Sequence, residues 1–192
     1  MLVSIPLAGA GITKNTFKIV FIGDSLTEGY GVSNESSYPY LLRNKFGAKQ
    51  LAVSVVNAGT SGATSASALS KMRWQLRSQV KPDLIVMALG ANDGLRGINP
   101  KTTKSNITKA IRYALAKNIK VILAGMLIPP NYGDKYTKEF AGMYPEIAQK
   151  LDIPLIPFLL EGVAGNKKLN LPDGIHPNEK GYVVIKYGRI MA

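Results

Sequence analysis

The feature that most restricts the fold is Leu84-Ile85-Val86-Met87-Ala88-Leu89, an unbroken apolar run between Asp83 and Gly90. A strand with one face in water alternates apolar and polar residues. A run with no polar member needs both of its faces covered, as in a parallel sheet with helices on either side. Shorter β-rich runs recur at 17–22, 51–56, 121–124 and 155–157. Segments with apolar residues at helical spacing lie at 38–49, 66–80, 102–117, 138–151 and 178–191, with Pro100 near the start of the third. Strict alternation of strand and helix predicts one α/β domain over residues 17–192, a three-layer α/β/α sandwich. The prolines around Leu155 and Ile156 place that strand near an edge.

The 192 residues contain no cysteine, which excludes disulfides, thiolate metal sites and a cysteine nucleophile. The net charge is +12, and no acidic residue occurs between Ser36 and Pro82 or between Gly94 and Gly133. Such a balance raises nucleic acid, an anionic membrane surface or an acidic small substrate as partners. Because the cations are scattered, a solvated basic surface is the simplest reading. Residues 2–12 are apolar and rich in small side chains, with Ala8-Gly9-Ala10 resembling a signal cleavage site, but no Lys or Arg precedes them. Residues 1–16 are therefore read as either an N-terminal arm or a signal-peptide remnant. The remnant implies a periplasmic or secreted protein, and the arm a cytoplasmic one. No stretch is long and apolar enough to be an integral membrane segment.

In doubly wound sheets ligands sit outside the carboxyl ends of the strands. Those ends carry Gly23-Asp24-Ser25-Leu26, Asn57-Ala58-Gly59-Thr60-Ser61-Gly62 and Gly90-Ala91-Asn92-Asp93-Gly94, and a late loop carries Asp173-Gly174-Ile175-His176. Any one of these alone reads as an ordinary turn or helix cap. His176 is the only histidine and lies three residues after Asp173, between Pro172 and Pro177. That spacing lets a carboxylate hold one ring nitrogen while the other accepts a serine proton, the logic of a Ser-His-Asp triad. Ser25, following a buried strand, is the candidate nucleophile, with helix capping as its alternative role. Asp24, Asp93 and Asp173 form a weak metal-cluster reading, and no metal or cofactor is expected.

These four blocks, in this order, resemble the SGNH (GDSL) hydrolases. The likeness is greatest to the bacterial arylesterases and the multifunctional acyl-CoA thioesterase/lysophospholipase subgroup, also through Leu95-Arg96-Gly97 and Pro130-Asn131-Tyr132-Gly133. The resemblance implies a flavodoxin-like sheet of about five parallel strands. It implies Ser25 as nucleophile, His176 as base and Asp173 as its orienting acid. It implies an oxyanion hole from the Ser25 and Gly62 backbone N–H groups and the Asn92 side chain. It further implies a small-molecule ester or thioester substrate (aryl esters, acyl-CoA, lysophospholipids), no nucleic acid partner, and a monomer or weak oligomer, with lipid-surface contact left open. A carbohydrate O-acetyl esterase of the same family, or a non-catalytic flavodoxin-like binder of anionic ligands, is the alternative. Three positions depart from the pattern: Ala63 replaces the usual Asp, Ala91 replaces a common glycine, and the last helix is short. The first is expected to loosen the turn that aims Gly62, and the last to weaken packing near His176.

Overall fold

The computed structural model describes residues 16–187; the expectations for the N-terminal arm and for the end of the last helix lie outside them. Five strands, β1 (Phe17–Gly23), β2 (Val53–Gly59), β3 (Leu84–Ala88), β4 (Lys120–Ala124) and β5 (Leu155–Ile156), form one sheet in the order β2-β1-β3-β4-β5. All four pairings are parallel. The apolar run is the middle strand, and Ile85 and Met87 are fully buried. β5 is the short edge strand that its prolines predict.

Among the described residues seven α-helices complete the layers: α1 (Ser25–Glu28), α2 (Tyr38–Ala48), α3 (Ala68–Gln75), α4 (Ala91–Leu95), α5 (Pro100–Leu115), α6 (Asp134–Leu151) and α7 (Glu179–Tyr187). α3, α5 and α6 pack side by side, and α2 packs with α7. Right-handed crossovers put these two groups on opposite faces of the sheet. α5 shows why such a segment is helical. Asn99 caps it by accepting from the Lys101 N–H at 2.9 Å, and Pro100 opens its first turn. Ile107, Ala110, Ile111 and Ala114 then recur at helical spacing and are fully buried. Among the described residues, no helix is long and apolar enough to cross a membrane.

β2, α3 and α6 differ most from the sequence reading: α6 starts at Asp134 rather than 138, and the other two differ for physical reasons. β2 starts later and runs on through Asn57-Ala58-Gly59, residues that look like a turn. Gly59 is required there because a Cβ would lie 2.2 Å from the Glu28 nitrogen. Asn57 donates to the Thr27 carbonyl at 2.8 Å and accepts from the Gly59 N–H at 3.0 Å. The polar end of β2 is thus a bracket for α1. α3 ends at Gln75 rather than continuing to residue 80, and its carboxyl end turns back at Leu76 and Arg77.

The direction of the chain reverses between β1 and β3, so the crevice expected for a ligand opens at their carboxyl ends. Ser25 and Asn92 follow those two strands directly.

Candidate active site

Asp24 is buried between β1 and α1 and caps that single helical turn, its Oδ1 accepting from the Leu26 N–H at 3.0 Å. This cap fixes Ser25 as the first residue of α1, 9% exposed. His176 arrives from the other end of the chain on a closed loop. An isolated antiparallel bridge joins Asn170 and Pro177, and the Leu171 N–H donates to the His176 carbonyl at 2.7 Å. Inside the loop, Asp173 Oδ1 accepts from the backbone N–H groups of Ile175 at 2.9 Å and His176 at 3.0 Å.

The expected triad atoms meet. Asp173 Oδ2 lies 2.7 Å from His176 Nδ1, and His176 Nε2 lies 2.9 Å from Ser25 Oγ. An ionised carboxylate only accepts, so the imidazole proton sits on Nδ1. Nε2 is then the acceptor and the Ser25 hydroxyl the donor. Burial works to raise the Asp173 pKa, but the hydrogen bonds from the His176 backbone and ring and from Ile175 outweigh it and hold the carboxyl below its ordinary value. The acid therefore stays charged at neutral pH, as an orienting partner must.

The oxyanion candidates Asn92 and Gly62 lie on neighbouring turns, and the Gly62 turn is also bonded to α1. Gly90, with φ at +121°, turns the chain from β3 into α4, where a Cβ would meet the Tyr144 hydroxyl at 2.3 Å. Asn92 follows, and one of its amide hydrogens goes to the Ala63 carbonyl at 3.0 Å. An amide NH₂ carries two hydrogens, so a second remains for an oxyanion. Gly62 sits exposed in the adjoining turn with φ at +75°, a conformation that glycine adopts without strain. The loss of the usual Asp at Ala63 does not leave this turn without support. The Ala63 N–H donates to the Thr60 carbonyl at 3.1 Å, Arg96 Nη2 to the Gly62 carbonyl at 3.3 Å, and the Ser61 N–H to Glu28 at 2.7 Å.

Asp24, Asp93 and Asp173 do not form a metal site. Asp24 and Asp93 are buried, Asp93 being taken up by Ser65 and Thr103, while Asp173 serves His176. No group of three His, Asp or Glu among the described residues is placed to hold a metal ion. The Asp24 pKa is pushed up to about 7, chiefly by burial, against the Leu26 hydrogen bond that lowers it; its Oδ2 has no hydrogen-bond partner.

Three features escape the sequence reading. The Tyr30 ring lies over the His176 ring, with centroids 4.6 Å apart and planes tilted by 41°. Its sequence signal is an aromatic residue between Gly29 and Gly31, both of positive φ. Arg96, read only as part of a motif, donates to the Gly62 carbonyl. An apolar pocket of about 440 Å³ opens beside the triad. Leu26, Ala91 and Ile175, chain neighbours of Ser25, Asn92 and His176, line it, together with Leu95, Met126, Leu127 and Phe158. No charged or polar side chain lines it.

Comparison with known proteins gives the family. The GDSL-like Lipase/Acylhydrolase family model matches residues 21–184. The chain is 38% identical over 160 residues to the arylesterase of Vibrio mimicus, covering 83% of this chain and 80% of that one. It is equally similar to thioesterase 1/protease 1/lysophospholipase L1 of Escherichia coli strain K12, covering 83% and 75%. The crystal structure of the psychrotrophic esterase EstA from Pseudoalteromonas sp., inhibited by monoethylphosphonate, superposes with a TM-score of 0.84 at 35% identity, covering 88% and 92%. A parallel sandwich with a serine-histidine pair at its crevice and these relatives leave no place for a non-catalytic binder: the chain belongs to the GDSL-like lipase/acylhydrolase family of ester hydrolases.

Proposed function

We propose that the protein hydrolyses carboxylic esters and thioesters of apolar acyl groups through an acyl-enzyme on Ser25. The observation that carries this is the Ser25–His176–Asp173 chain of contacts at the mouth of the apolar pocket. His176 Nε2 takes the Ser25 proton as Oγ attacks the acyl carbonyl. The Ser25 and Gly62 N–H groups and the Asn92 amide stabilise the oxyanion. The imidazolium, stabilised by Asp173, then returns its proton to the leaving group, and water releases the acid by the reverse sequence.

The pocket favours an acyl chain over a sugar. A carbohydrate needs polar partners for its hydroxyls, and the lining supplies only Leu, Ile, Met, Phe, Pro, Ala and Gly side chains. Leu95 and the residues from Met126 to Pro130 put the segments after Asn92 and Met126 along this pocket. Aryl esters, acyl-CoA thioesters and lysophospholipids share an apolar acyl group and differ outside the pocket, so all three are proposed substrates. The test is a chain-length series of aryl esters and acyl-CoA thioesters with wild type and Ser25→Ala. Turnover should rise with acyl length and then break off, and the variant should keep its fold and lose nearly all activity. A fluorophosphonate should label wild type at Ser25 only. Persistent turnover by Ser25→Ala, or equal preference for acetylated sugars, would overturn the proposal.

A further inference from the structure

Trp74, the only tryptophan, is 69% exposed, the largest value among the exposed large apolar side chains. Its indole stands between two clefts. One, of about 440 Å³, is lined by Ala58, Gly59 and Thr60 at the carboxyl end of β2 and by Ser70, Lys71 and Gln75 of α3. The other, of about 510 Å³, is lined by Ala66, Leu69, Ser70, Arg73 and Arg77. Ser70 and Trp74 belong to both. None of these residues lines the acyl pocket.

The polar groups around the indole are cations, hydroxyls and one amide. No Asp or Glu lines either cleft, and the sequence has no acid between Ser36 and Pro82 to supply one. Lys71 Nζ donates to the Thr60 hydroxyl, and Arg73 also reaches the Tyr113 ring, its Cζ 5.4 Å from the centroid. The acids that face Lys71 come from the nucleophile's end of β1: Glu28, which accepts from the Ser61 N–H and hydroxyl, and the buried Asp24. An exposed indole flanked by ammonium, guanidinium and hydroxyl groups, without a carboxylate in the lining, matches a nucleotide. The base stacks on the indole and the phosphates take the N–H and O–H donors.

The clefts also lie at a defined distance from the chemistry. Ala58 and Gly59 pair in register with Ile22 and Gly23 of β1, and Ser25 follows Gly23 by two residues. Cleft and nucleophile are therefore about 15 Å apart. Between them runs the exposed turn Thr60-Ser61-Gly62, which lines the first cleft at Thr60 and carries the oxyanion candidate Gly62. We propose, resting on the thioester activity proposed above, that the two clefts around Trp74 bind the adenosine phosphate end of an acyl-CoA thioester. Its pantetheine arm, about as long as four or five extended residues, spans about 15 Å and lies along the exposed turn. The acyl chain enters the separate apolar pocket. A free nucleotide or an oligonucleotide would use the same donors, but neither needs them one arm's length from Ser25.

Because Trp74 is the only tryptophan, its emission reports on the clefts directly. Adenosine bisphosphate, the end of coenzyme A without its arm, should quench that emission saturably, and more weakly as salt rises. Kinetics are compared for one acyl group carried on coenzyme A, on pantetheine and on a phenol. Trp74→Ala should raise KM for the acyl-CoA about tenfold, and Arg77→Gln about threefold, with kcat unchanged. Neither variant should alter turnover of the pantetheine thioester or the aryl ester. No saturable quenching at low salt would overturn the proposal. So would a KM for acyl-CoA that equals the pantetheine value in wild type and stays unmoved in Trp74→Ala, even if an oligonucleotide quenches the emission; in both cases thioester turnover remains and the proposed function stands. A protein that cleaves the aryl ester and neither thioester overturns the nucleotide site together with the thioester half of that function.

Discussion

Replacing Asp24 by Asn separates what the carboxylate does as a helix cap from what its charge costs. In the folded chain the pKa is pushed up to about 7 by burial, with the Asp93 charge adding to the rise and the Leu26 hydrogen bond and Lys71 opposing it. In the unfolded chain it lies at 3.8. Between those values the unfolded chain has released a proton that the folded chain still holds. The unfolded state binds fewer protons there, so stability falls as pH rises. The loss starts near pH 4 and is complete above about pH 7. Roughly three units at about 1.4 kcal/mol each give a loss of roughly 4 kcal/mol, a large part of a typical total stability of about 5–15 kcal/mol. Asn keeps the acceptor for the Leu26 N–H and caps as well as Asp. Its new amide nitrogen has no evident acceptor, because Asp24 Oδ2 lies buried without a partner; that costs about 1–3 kcal/mol at every pH. The measurable quantity is therefore the pH dependence of the difference. Urea unfolding of wild type and Asp24→Asn across pH 4.5–8 should show the variant gaining several kcal/mol relative to wild type as pH rises. A difference constant to within about 1 kcal/mol would mean that Asp24 is ionised throughout, and the burial argument would fail.

Further outcomes follow from the site geometry. Asn92→Ala removes the side-chain donor at the oxyanion position, so kcat should fall by about 10²–10³ with little change in KM; an unchanged kcat would reduce Asn92 to a tie on the Ala63 carbonyl. Asp173→Asn should leave measurable turnover because His176 survives as a base in a poorer orientation, whereas His176→Ala should abolish it. Tyr30→Ala, which uncovers the His176 ring, should lower kcat/KM by about threefold to tenfold without changing the unfolding midpoint, and Tyr30→Phe should restore it because the ring makes the contact.

The layering was legible in the sequence because hydrophobic runs and helical spacings are local. The buried middle strand, for instance, follows from the single run at Leu84. Ser25, Asn92 and His176 were legible for a different reason: a parallel sheet sends every strand end to one edge, so polar turns far apart in sequence converge. What escaped rests on contacts between turns. Asn57 reads as a turn residue until α1 is placed over it, when its amide proves to bracket that helix from within β2. α4 is too short for any periodicity to reveal, and it forms because Gly90 can take a φ of +121° under the Tyr144 hydroxyl. Tyr30 comes over His176 only when a loop at the end of the chain closes on one near its start.

Ala63 shows how far a motif can be altered when its geometry is held from outside. The expected weakness assumed that the side chain at 63 steadies the Gly62 turn. In the structure the turn is held through main-chain atoms on several sides: Asn92 on the Ala63 carbonyl, Arg96 on the Gly62 carbonyl, Glu28 on the Ser61 N–H. Glu28 belongs to α1 with Ser25, and Asn92 and Arg96 lie at the two ends of α4. α1 and α4 thus both bond to the same turn. Each of these contacts runs to a main-chain atom of the turn, so none of them requires an Asp side chain at residue 63.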